Sequence, residues 1–85
     1  MLSENAIYVI QNQKKIREGY LRYKYIILKY WDGLHWIVRF LKNGNTNWIA
    51  LTETRLVNMI GDGTIRIPDA HERLEAMIME NKLGY

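Results

Sequence analysis

The sequence predicts a single α+β domain: a curled antiparallel meander of three to five strands, flanked by an N-terminal and a C-terminal helix. Three observations predict it. The chain has 85 residues, too few for a second hydrophobic core. Its composition, 48% apolar and 25% charged, is that of an ordinary folded domain and excludes a disordered tail or a collagen-like repeat. Finally, aromatic and β-branched residues crowd the stretch from Tyr20 to Leu51, while apolar spacing near 3.6 residues marks both ends.

Ser3 suits an N-cap and Glu4 the positive end of a helix. Leu2, Ala6, Val9, Ile10, Ile16 and Tyr20 then fall near a helical period, with Gly19 as a left-handed stop. A helix is expected over 4–18, although Ile7 to Ile10 is rich in β-formers that equally suit a short strand. Strands follow over 20–31 and 34–42, separated by Asp32-Gly33, whose residue types supply the positive φ of a tight hairpin. Asn43-Gly44-Asn45-Thr46 repeats that chemistry before a third strand, Trp48 to Leu51. Alternation puts Trp36, Val38 and Phe40 on one face of the second strand and His35, Ile37, Arg39 and Leu41 on the other. In the first strand Arg22 and Lys24 occupy the phase that Ile26 and Leu28 occupy later, so a bend or bulge is expected near Tyr25.

Thr52 can cap a helix running through Ile60, with Leu56, Val57, Met59 and Ile60 as its buried side and Gly61 at its end. Gly61-Asp62-Gly63 is a turn, Ile65 to Ile67 a brief strand, and Pro68 its stop. Asp69 and Glu72 have the spacing of a capping box. In the helix they open, Ala70, Leu74, Met77 and Ile78 form the apolar stripe to about Lys82, and Glu72, Glu75 and Glu80 the solvated side.

Chemistry is excluded more firmly than it is assigned. Cysteine is absent, which removes disulfides, thiolate metal sites and thiol nucleophiles together. His35 and His71 are the only imidazoles and stand in no metal-ligand spacing. Gly61 and Gly63 follow a helix instead of opening one, so they form no phosphate cradle. No enzyme activity, cofactor or metal is expected. No apolar run approaches the ~20 residues that span a bilayer, and no leader opens the chain; an intracellular, cytoplasmic protein without membrane contact is expected.

The distribution of charge points to binding. Net charge is +3, but residues 14–42 hold eight cations against two acids, and residues 43–85 four against six. Eight of the ten aromatic residues lie between Tyr20 and Trp48. Cations replace counterions along phosphates, and rings stack on unpaired bases. The expected contact residues are therefore Arg22, Lys24, Lys29, Arg39 and Lys42 with Tyr23, Trp31 and His35, supplemented by Lys14, Lys15 and Arg17 at the end of the first helix. The leading expectation is a non-enzymatic nucleic-acid-binding regulator, using DNA or RNA. The alternative is a small protein-binding module or inhibitor that docks on an acidic surface of a larger nucleic-acid-handling protein, because Tyr, Trp and Arg also dominate protein hot spots. A homodimer through Met77, Ile78, Met79 and Leu83 of the last helix is a further expectation. The nucleic-acid expectation requires the central cations to lie together on one outward ribbon, clear of the last helix's acids.

Trp36-Ile37-Val38-Arg39-Phe40, a turn carrying Gly44, then Trp48-Ile49-Ala50-Leu51 and Arg55-Leu56 resembles the later strands of Tudor-type, SH3-like small barrels. The resemblance implies a curled five-strand barrel that binds peptides or nucleic acid, in some members holding a methylated Lys or Arg in an aromatic box. Trp36, Phe40 and Trp48 are the matching positions for such a box. The rival layout is a three-strand sheet backed by a helix, entering a DNA major groove. Pairing of Ile65 to Ile67 with the sheet separates the two.

Overall fold

The computed structural model describes residues 2–12, 23–42 and 45–83. Among these residues the elements are β1 (Ile7–Ile10), β2 (Tyr25–Trp31), β3 (Trp36–Lys42), β4 (Asn45–Leu51), α1 (Glu53–Gly61), β5 (Ile65–Arg66) and α2 (Ala70–Leu83). The strands form one open antiparallel sheet in the order β4-β3-β2-β1-β5. β5 pairs with β1 through Val9–Arg66 and Ile10–Ile65. This is the five-strand alternative, not the three-strand one.

The expected helix over 4–18 is corrected by β1. All four of its residues are buried, because β1 lies between β2 and β5 and is covered on both faces. Tyr8 and Ile10 face the core built with α1, whereas Ile7 and Val9 face α2. A strand buried on both sides shows no alternation. Residues 13–18 and Gly19 of the expected helix lie outside the described residues, as do Tyr20 to Arg22 of the first expected strand. The chain bends at Lys24, beside Tyr25 as expected, and a further register shift falls at Lys29, where Leu28 pairs with Val38 and Tyr30 with Ile37.

Local capping chemistry is observed where the sequence places it. Asp32 Oδ1 accepts from the amides of Leu34 (2.8 Å) and His35 (2.6 Å), and Gly33 takes φ 103°, so the β2–β3 turn needs both residues. Thr52 Oγ1 accepts from the Arg55 amide at 3.1 Å and starts α1. Asp69 and Glu72 make the reciprocal capping box, at 2.8 and 3.1 Å. Only Leu56 and Met59 of α1 are buried; Val57 and Ile60, expected beside them, are exposed.

Among the described residues, each face of the sheet has one helix. Leu56 and Met59 of α1 close the larger core on Ile26, Leu28, Trp36, Val38, Phe40 and Leu51. On the opposite face Ala76 and Met79 of α2 pack over Ile7, Val9, Tyr25, Ile27 and Leu41. α2 thus presents a different side from the one its apolar stripe predicts. Leu74, Met77 and Ile78 are 57%, 51% and 46% exposed, while Glu72, Glu75 and Glu80 turn toward the sheet. The cause is the sheet's own charge, since cations carried on a covered face require acids opposite them.

Candidate interaction surface

Three of the expected contact cations lie on the face that α2 covers. Lys24 Nζ is 2.7 Å from Glu75 Oε1, and the Tyr25 hydroxyl donates to the same carboxylate. Lys29 Nζ is 3.2 Å from Glu80 Oε2. Arg39 is 1% exposed, with one guanidinium nitrogen 4.0 Å from Glu80. A fourth cation, Arg66, is held by Glu72 through two hydrogen bonds of 2.8 and 2.7 Å. Every acid of α2 thus meets a basic partner on the sheet.

The electrostatics follow the geometry. Hydrogen bonds from Arg66 and the Asp69 amide pull the Glu72 carboxyl down to about 2. Those from Lys24 and Tyr25 hold Glu75 below its ordinary value, and burial followed by the Glu75 contact pushes the Tyr25 phenol up. These groups are charged, or in the case of Tyr25 neutral, as the helix–sheet contact requires. The single outward ribbon of cations expected from the sequence is not assembled: Arg39 is buried, and Lys29 is half-buried against Glu80.

The remaining expected residues separate into two ends of the sheet. Tyr23, half-buried, meets Phe40 edge-on at 5.6 Å. Beside it the Lys24 amide donates to the Leu41 carbonyl at 3.0 Å, placing Lys24 next to Lys42 where the β2–β3 ladder ends. At the other end Trp31 packs on Trp36 at 5.6 Å, and His35 Nδ1 is 4.0 Å from Asp32 in the turn. Lys14, Lys15, Arg17 and Arg22 lie outside the described residues.

A surface that the charge argument missed is apolar. Tyr30, Ile37 and Ala50 are consecutive cross-strand partners on β2, β3 and β4, so their side chains form one row on the α2 face. Trp48, the partner of Arg39, stands on the same face in the neighbouring row. Tyr30 is 49% exposed and Trp48 44%, and Trp31 (44%) and Leu34 (75%) flank the adjoining turn. Half-exposed rings on β2 and β4, either side of β3, are the signal; in the sequence they resemble any half-buried strand residues. The same alternation separates the three box positions, with Trp36 and Phe40 buried in the α1-side core and Trp48 on the opposite face. Those residues form no aromatic cage.

Among the described residues no group of His, Asp and Glu is arranged to hold a metal ion, and no helix is long and apolar enough to cross a membrane. Comparison of the chain with protein-family models, with curated proteins and with solved structures found no match.

Proposed function

We propose that this chain is a non-enzymatic protein-binding module whose docking face is the row Tyr30, Ile37 and Ala50, bordered by Trp48 and by Leu34 of the β2–β3 turn. The observation that carries this reading is the exposure of Tyr30 and Trp48 on one face of the sheet, with Leu34 exposed in the adjoining turn, since rings of this kind dominate protein hot spots. The net charge of +3 speeds encounter with an acidic partner, in keeping with an inhibitor or regulator of a larger nucleic-acid-handling protein. The engagement of Lys24, Lys29 and Arg39 by α2 supports rings over cations as the main contacts. Photoreactive residues substituted at Leu34 and Ala50 test it. Both should cross-link one protein in extracts of the source cells, and Tyr30→Ser should abolish the product; cross-linking that Tyr30→Ser leaves unchanged overturns the assignment.

Nucleic-acid binding is the second reading, favoured by Tyr23, Lys24 and Lys42 at the opposite end, where the Lys24 side chain is 55% exposed. Its mark is oligonucleotide affinity that falls steeply with salt and drops further in Lys24→Gln/Lys42→Gln. Absence of any oligonucleotide binding at low salt removes it.

A further inference from the structure

The two edges of the sheet are protected very differently. β5 is two residues long, its Arg66 is tied to Glu72, and Pro68 follows it. Short length, charge and proline are the usual devices that keep an edge from pairing. β4 has none of them. It is seven residues, Asn-Thr-Asn-Trp-Ile-Ala-Leu, without a charge or a proline. It hydrogen-bonds to β3 on one side, and among the described residues no strand lies on the other.

We propose that β4 is a self-pairing edge, through which two copies of the chain join antiparallel about a twofold axis at Trp48 into one continuous sheet. The occupant is a second copy because the strand is complementary to itself. With Trp48 opposite its counterpart, Ile49 opposes Asn47 and Ala50 opposes Thr46, so no like charges meet across the seam. For a chain of net charge +3, a neutral seam adds no like-charge contact to the general repulsion between copies. An axis normal to the sheet also keeps both α2 faces on the same side. The two Trp48 rings then lie side by side, and the Tyr30–Ile37–Ala50 rows of both copies extend from a common seam.

A seven-residue strand pair with one ring pair lies below the roughly 1,200 Å² of a standard specific interface. The dimer therefore forms with rising concentration instead of being obligate. No outside partner is involved, so this proposal and the protein-docking reading fail separately.

Sedimentation equilibrium over about two decades of concentration tests it. The unmodified chain should pass from monomer to dimer, and β4 amides should gain hydrogen-exchange protection over the same range. Asn47→Lys places a cation on an exposed edge position and should weaken the dimer by about tenfold or more without shifting the unfolding midpoint measured at concentrations where the chain is monomeric. Leu74→Ser, on the exposed side of α2, should leave it unchanged. A chain that stays monomeric throughout, a dimer insensitive to Asn47→Lys, or one dissociated by Leu74→Ser overturns the proposal.

Discussion

The guanidinium of Arg39 lies 5.6 Å from the centroid of the Trp48 ring, so a half-exposed tryptophan roofs a fully buried cation. The ring replaces part of the hydration that the charge has lost, and Glu80, 20% exposed, supplies the opposite charge from α2. One residue of the candidate docking face thus also completes the helix–sheet contact.

Removing the acid should cost more than removing the pair. Glu80→Ala leaves Arg39 buried without its carboxylate and is expected to destabilise by about 3 kcal/mol, whereas Arg39→Met with Glu80→Leu should recover most of that loss. Urea denaturation midpoints of the three proteins check it. Equal losses in the single and double variants contradict the buried charge.

Stability should fall with acid in a defined window. Glu72 has its folded value lowered from 4.5 to about 2, and Glu75 is lowered as well. A depressed carboxylate contributes its full stabilisation above the unfolded value and loses it as pH falls toward the folded one. For Glu72 the loss therefore runs from about pH 4.5 down to about 2. Arg66→Gln should remove most of that acid dependence, as read by thermal unfolding midpoints at stepped pH; an unchanged profile contradicts the Arg66–Glu72 contact.

The two partners of Glu75 should differ in weight. Lys24 is more than half exposed, and Lys24→Ala should change stability by no more than about 0.5 kcal/mol. Tyr25 is buried, and Tyr25→Phe removes its hydrogen bond to Glu75 at about 1 kcal/mol. Chemical denaturation of both variants checks the order.

Much of the fold was legible because its signals are local. Asp32-Gly33, the Thr52 cap and the Asp69–Glu72 box each depend on residues within a few positions, and each forms as the spacing indicates. β1 was obscured because neighbours far along the chain bury both of its faces, erasing the period that identifies a strand. α2 was misoriented for a related reason. A helix reading assigns the apolar stripe to the core, but which side docks was decided by Lys24 just before β2 and by Lys29, Arg39 and Arg66 on three different strands. The cations of the candidate site were visible in the sequence; their acidic partners on α2 were not, since pairing over such separations is set by the assembled sheet.

The orientation of α2 is the relationship on which the paired cations and the uncovered rings both depend, and reversing its two sides by mutation measures it directly. Leu74→Ser, Met77→Ser and Ile78→Ser alter exposed positions and are each expected to stay within about 0.5 kcal/mol of the unmodified chain. Ala76→Leu, at a site with no exposure, is expected to destabilise by about 1–3 kcal/mol through overpacking. Losses of about 2–5 kcal/mol in the serine variants, the size of a core truncation, with Ala76→Leu tolerated, would contradict the account.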